Sequence, residues 1–208
     1  ANINHDLRTP LTLIQGYIHR IVTNKEDYLT SQSKEDLESL GSNALTLTEM
    51  TNEIQDLILL EEGKLELKLQ RVEMTSYLRR QVLMFGSMAE MAEIELAYEC
   101  ELSELYVNLD SGHFEKILFN LLSNAFRFTP KEGRIIVRLR EESDQMLIAV
   151  SDTGKGIDLK DLPNIFDRFY QSSLNEYRSK EGFGIGLAVV NELVTLHGGK
   201  VDVASEVN

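Results

Sequence analysis

Two apolar seams constrain the first third of the chain. Leu7, Leu11, Ile14, Ile18 and Ile21 recur at spacings of 4, 3, 4 and 3. That is the a/d pattern of a helix burying one stripe against another helix. A polar stretch from Thr23 to Ser33 reads as a loop. A second seam follows in Leu37, Leu40, Ala44, Leu47, Thr51, Ile54 and Ile58. Glu61-Glu62-Gly63 ends it, and Gly63 suits a helix C-cap. Two helices alone bury both stripes poorly. Residues 1–63 are therefore expected to form a helical hairpin that pairs with a second copy in a four-helix bundle, making a homodimer. The alternative is a hairpin packed on the rest of its own chain.

After Gly63 the period changes. Leu65, Leu67 and Leu69 alternate with charged residues, as a strand does. Residues 74–91 read as one helix. Ile94 to Tyr98 and Glu104 to Leu109 read as short strands, and residues 112–128 as a helix. Arg134–Arg140 and Met146–Val150 form an expected hairpin. Residues 152–184 are loop-rich, a helix runs from Gly186 to His197, and a strand begins at Lys200. This order predicts an α+β chain, with the hairpin followed by an α/β sandwich over residues 64–208.

Composition excludes several classes. The formal charge of −13 over 208 residues argues against non-specific nucleic-acid binding, which needs a basic face. The single cysteine, Cys100, allows no intrachain disulfide and fits a reducing compartment. No apolar run approaches the roughly 20 residues of a membrane span. The chain starts at Ala1 rather than Met. The expectation is a cytoplasmic piece of a longer protein, attached to a membrane only through a segment outside it.

The chemistry lies in three stretches of the second part. In "FEKILFNLLSNAFRFTP", Phe114, Ile117, Leu118, Leu121, Leu122 and Ala125 share one helical face. Asn120, Asn124 and Arg127, at i, i+4 and i+7, share another stripe. Such a rail suits a phosphate chain and its metal: amide oxygens serve Mg²⁺ and guanidinium serves phosphate. The plainer reading is a solvated face. In "VSDTGKGI", Asp152 ends an apolar run and Gly154 and Gly156 follow. Asp152 could accept from an exocyclic amine such as that of adenine, or simply make an Asp-Thr-Gly turn. In "EGFGIGLAVVNELVTLHGG", Gly182, Gly184 and Gly186 lead into a helix whose N-terminal amides would face a phosphate. The polar run "QSSLNEYRSKEG" before it is long enough for a lid.

In this order, the Asn-rich helix, Asp152-x-Gly-x-Gly, "IFDRFYQ" and the glycine loop resemble the N, G1, F and G2 boxes of the histidine kinase ATP-binding domain, a member of the GHKL (gyrase-like) ATPase superfamily. The opening "HDLRTPLT" resembles the H box of the same kinases. The resemblance implies that His5 is the phosphoacceptor and Asp6 its orienting acid. Successive helix positions lie about 100° apart, so that contact needs a bend, which Pro10 would supply. It further implies that Asn120 is the Mg²⁺ ligand and that Asn124 and Arg127 lie on the phosphate side. Phe128 stands where most relatives carry Tyr, and Arg127 where most carry Lys. Asp152 reads adenine beside Gly154, Gly156 and Ile157. Arg168 and Tyr170 lie at the start of the lid. Gly182, Gly184, Ile185, Gly186 and Leu187 close on the phosphates. Phe166 and Phe169 are expected in the core.

The family continues with a further Gly-x-Gly turn and strand that this sequence lacks. The resemblance implies Mg·ATP as cofactor, autophosphorylation of His5, and phosphotransfer to an aspartate of a response-regulator receiver domain. Thr9, in H-x-x-x-T spacing, is implied in dephosphorylating that regulator. Its plainer role is local, as the residue preceding Pro10. Two other readings compete: a dimeric scaffold that binds nucleotide poorly, and a GHKL ATPase without a histidine acceptor.

Overall fold

A computed structural model describes residues 65–171 and 184–207, together with helical positions 14, 16–18, 37, 39–41, 44 and 47. The helical positions agree with the two seams. His5, Asp6, Thr9 and Gly182 lie outside the described residues. No helix among the described residues is long and apolar enough to cross a membrane.

Two small sheets carry the second part. β1 (Gln70–Glu73) pairs antiparallel with β3 (Tyr106–Leu109), in register from Gln70↔Leu109 to Glu73↔Tyr106. The other sheet has the order β2-β4-β5, with β2 (Glu95–Cys100) parallel to β4 (Arg134–Glu142) and β4 antiparallel to β5 (Gln145–Asp152). The helices are α1 (Met74–Leu83), α2 (Gly86–Ala92), α3 (Ser111–Phe128) and α4 (Gly186–Leu196).

β4 shows why the sheet has one covered face. Ile135, Val137 and Leu139 are buried at every second position, as strand geometry requires. They pack against Met74, Leu78 and Val82 of α1 and Phe114, Leu118, Leu122 and Ala125 of α3. α3 also turns Ile117 toward a second cluster with Ile185, Val189, Val190 and Leu193 around α4. So α3 is sandwiched, with the sheet on one side and α4 on another. Its remaining stripe stays polar.

Three elements differ from the sequence expectation. The alternating Leu65, Leu67 and Leu69 do not form a strand; regular pairing starts only at Gln70. Leu65 instead packs on the α3–α4 cluster, and the Lys68 N–H donates to Asp110 Oδ2 at 2.8 Å. Periodicity could not show that a side chain would take the place of a strand partner. The helix expected over 74–91 breaks in two. Phe85 leaves the helical path to lie 6.1 Å from the rings of Phe119 and Phe126, and Gly86 starts α2. Residues 201–207 form no strand: Val201 joins the α3–α4 cluster and Ser205 Oγ accepts the Ile157 N–H at 2.9 Å.

Glu73 caps α1. Its carboxylate accepts from Thr75 Oγ1 and N–H and from the Ser76 N–H. These bonds hold its pKa down to about 2. A depressed carboxylate stabilises the fold above its unfolded pKa, and the contribution fades as pH falls through the folded value. Denaturant unfolding of the wild type and Glu73→Gln should differ at pH 6 and converge as pH falls from about 4.3 toward 2. A difference independent of pH would show that Glu73 acts through packing alone.

Candidate nucleotide site

Asn120 lies on the polar stripe of α3, half-buried. Its Nδ2 donates to the Lys116 carbonyl at 2.9 Å, which leaves Oδ1 directed at the start of α4. A Cβ placed on Gly186 would lie 2.5 Å from that Oδ1. Gly186 is thus the residue that lets an amide oxygen and a helix N-terminus occupy adjoining space. Ile185, at the N-cap position of α4, provides no side-chain cap. Ile185 thus takes none of the first N–H groups of this 11-residue helix, and the positive end of the helix dipole lies beside Asn120. Asn124, one turn further, receives a long contact of 3.5 Å from Arg127. Of the three residues on this stripe, Asn120 and Asn124 are half-buried and Arg127 is exposed.

β5 delivers Asp152 to the C-terminal end of the same helix. Asp152 Oδ1 accepts the Gly154 N–H at 2.8 Å. Any Cβ at Gly154 would sit 2.6 Å from both that oxygen and the Phe128 carbonyl. Gly156 adopts φ +72°, and a Cβ there would lie 1.8 Å from the Glu206 carbonyl. The turn is thus pressed between α3 and segment 205–207, which leaves the exposed Asp152 carboxylate on a stiff base. Ile157 and Leu187 are half-buried beside these turns.

Residues 169 and 184 are hydrogen-bonded to each other. The Phe169 N–H donates to the Gly184 carbonyl at 2.7 Å, with Phe169 itself at φ +62° and Gly184 at φ +68°. Phe169 packs on the α3–α4 cluster, as expected of a core residue, while Phe166 is half-buried. Arg168 and Tyr170 take partners within this frame. Arg168 lies 3.4 Å from Glu192 of α4, and the Tyr170 hydroxyl donates to buried Asp161 at 2.7 Å. That bond, followed by burial, raises the Tyr170 pKa.

Sequence reasoning passed over Lys155, whose Nζ stands 4.8 Å from the centre of the Phe128 ring. Its position between two glycines of the turn was the available signal. It gives the exposed ring a cation and adds positive charge beside Asp152. A shallow cavity of about 870 Å³ lies elsewhere, between α1, α2 and β2, and contains none of these groups.

No group of three or more His, Cys, Asp or Glu suited to a metal occurs among the described residues. The arrangement nonetheless fits Mg²⁺ brought by a polyphosphate. Such an ion keeps most of its waters and phosphate oxygens and needs only one or two protein oxygens. Asn120 Oδ1 is one, placed at an uncapped helix N-terminus.

Two family models match. One, described as histidine kinase-, DNA gyrase B-, and HSP90-like ATPase, covers residues 109–208, and the other, the His Kinase A (phospho-acceptor) domain, covers residues 1–63. The chain belongs to the histidine kinases. It is 32% identical to the circadian input-output histidine kinase CikA of Synechococcus elongatus, over 100% of this chain and 28% of that protein. Among solved structures it is similar to full-length ShkA in complex with AMPPNP (TM-score 0.73, 26% identity, 98% of this chain, 42% of that one). It shares its fold with histidine kinase ThkA in complex with the response regulator protein TrrA (TM-score 0.73, 19% identity, 96% of this chain, 54% of that one). The chain thus spans less than a third of the CikA length.

Gly186→Ala tests this candidate site. Alanine favours a helix over glycine by about 1 kcal/mol, and the obstructing atom is the end of a rotatable side chain. Thermal stability should hold. Mg²⁺-dependent AMPPNP binding should weaken by about tenfold, equivalent to roughly 1.4 kcal/mol, because Asn120 Oδ1 must turn away. Unchanged affinity by calorimetry would separate Gly186 from the site.

Proposed function

We propose that this chain binds Mg·ATP between α3 and α4 and transfers the γ-phosphoryl group to its own His5. The observation carrying the reading is the pairing of Asn120 Oδ1 with the uncapped N-terminus of α4. Phosphoryl transfer asks mainly for positioning and charge neutralisation, and amide oxygen, backbone N–H and cations are the groups assembled here. In the assigned roles, Asn120 holds the metal and Asn124 and Arg127 flank the phosphates. Gly182, Gly184, Ile185, Gly186 and Leu187 supply backbone approach to them. Asp152 accepts from the adenine amine, with Gly154, Gly156 and Ile157 shaping its turn and Phe128 offering a ring. Arg168 and Tyr170 anchor the lid. A neutral His5 nitrogen attacks phosphorus, ADP leaves, and the ring loses a proton, for which Asp6 is the neighbouring base. The phosphoryl group then passes to a receiver-domain aspartate of a response regulator, the kind of partner with which ThkA was solved.

The division falls after Gly63, supported by the docking of Leu65 on the α3–α4 cluster. A homodimer through the hairpin is supported by seam residues Ile18 and Leu37, 47% and 44% exposed in the single chain.

Incubation with γ-labelled ATP should give label that is lost in acid and kept in base, as a histidine N–P bond requires. His5→Gln should remove it while changing AMPPNP affinity less than about twofold, well under 1 kcal/mol. Label persisting on that variant would exclude His5 as acceptor. Asp152→Asn should weaken ATP binding and narrow the preference for ATP over GTP, because an amide can donate where a carboxylate only accepts. Undiminished rejection of GTP would remove Asp152 from base recognition.

A further inference from the structure

Asp110 joins three parts of the molecule: α3, segment 65–69 and the end of α4. It is buried at 7% exposure, at the N-cap of α3. Its Oδ1 accepts the His113 N–H at 3.1 Å, and its Oδ2 accepts the Lys68 N–H at 2.8 Å. His113 Nδ1 stands 3.2 Å from Oδ2, close enough for an ion pair though not aligned for a hydrogen bond. Burial alone would raise the carboxyl pKa, but the N–H groups of Lys68 and His113 outweigh it and leave the pKa below its ordinary value. The backbone N–H of the same residue donates to His197 Nε2 at 3.2 Å.

His197 closes α4. Its Nδ1 lies 2.7 Å from the Leu193 carbonyl and has to donate to it, since Nε2 is already accepting. The two bonds require the neutral Nδ1–H tautomer. As an acceptor, Nε2 binds the backbone N–H of Asp110 and not its carboxylate, whose oxygens accept from Lys68 and His113. At the other end of α4, Gly186 meets Asn120 Oδ1. Beside that junction, Ile185 belongs to the cluster on which Leu65 packs. Segment 65–69 is therefore bolted to the nucleotide-site helices twice, at Asp110 and at the α3–α4 cluster.

We infer that Asp110 and His197 are positioning residues, a latch that ties segment 65–69 to the register of α4 against α3 and so to the Asn120–Gly186 junction. A helix of 11 residues moves nearly as a rod. Freeing its C-terminal end from Asp110 lets its N-terminal end shift against Asn120. Pulling on Lys68 loads the same carboxylate that caps α3. A change in the hairpin that draws on segment 65–69 thereby alters nucleotide affinity without any residue of the segment touching the nucleotide. This inference rests on the proposed function.

The test uses His197→Leu, His197→Gln, Lys68→Pro (which removes the donor N–H together with the lysine side chain), Lys68→Ala as the control that removes the side chain and keeps the N–H, and the Lys68→Pro/His197→Leu pair, in the whole chain. The probe is AMPPNP with Mg²⁺, read by calorimetry beside thermal unfolding. His197→Leu should weaken binding by roughly 2- to 30-fold, the range for changes that alter coupling without touching ligand. His197→Gln should recover most of that loss, because its Oε1 can accept from Asp110 N–H. Lys68→Pro should weaken binding in the wild type and add little in His197→Leu, since both open one latch. Nitrogen-15 spectra of the wild type should show His197 as the neutral Nδ1–H tautomer. Wild-type affinity in His197→Leu, no recovery with glutamine, or fully additive losses would overturn the latch. Absence of AMPPNP binding to the wild type would instead overturn the proposed function. Hydrogen exchange at the α4 amides then still reads the latch: faster in His197→Leu supports it, unchanged refutes it.

Discussion

The close approach of α4 to α3 is the contact on which everything else depends. A helix N-terminus left without a cap normally recruits a serine or aspartate. Here Ile185 occupies that position and is 1% exposed, packed into the cluster with Ile117, Val189, Val190 and Leu193. Apolar burial holds the helix in place, which leaves its N-terminal N–H groups available to a ligand. Because Gly186 has no side chain, Asn120 can come alongside. Hydrophobic packing of Ile185, the residue directly before Gly186, thus sets the position of the helix N-terminus.

α3 illustrates how much one sequence stretch can carry. Leu118, Leu122 and Ala125 meet the sheet, Ile117 meets α4, and Asn120 and Asn124 hold the strip between them. The helix is capped at one end by Asp110, and at the other it presents the Phe128 carbonyl to Gly154. One helix of 18 residues thus fixes both the Asn120–Gly186 junction and the turn at Asp152. Beside α4, the Phe169 N–H is hydrogen-bonded to the Gly184 carbonyl.

The parts legible in the sequence were those in which local chemistry and tertiary role agree. The period of α3, the β4–β5 hairpin and the glycine entry to α4 each announce themselves through their own residues. The missed parts depend on distant partners. Leu65–Leu69 alternates like a strand, but Asp110 takes the Lys68 N–H, 42 residues away. The expected helix over 74–91 breaks because Phe85 finds aromatic neighbours on α3. Lys155 reads as a turn residue until Phe128 is seen beneath it. His197 reads as the end of a helix until Asp110 is seen across from it, 87 residues away. The glycine pattern pointed to phosphate, but only the structure shows that Gly186 is fitted to Asn120.

The position of the metal in solution decides where the nucleotide binds. Mn²⁺ substitutes for Mg²⁺ and broadens the resonances of nuclei close to it. With AMPPNP and Mn²⁺ added to the isotopically labelled chain, the Asn120 side-chain amide and the Gly186 and Leu187 backbone amides should broaden first. The Glu90 and Glu132 amides, lining the cavity between α1, α2 and β2, should stay sharp. Broadening centred on that acidic cavity, with Asn120 and Gly186 unaffected, would contradict the assignment of the nucleotide to the α3–α4 junction.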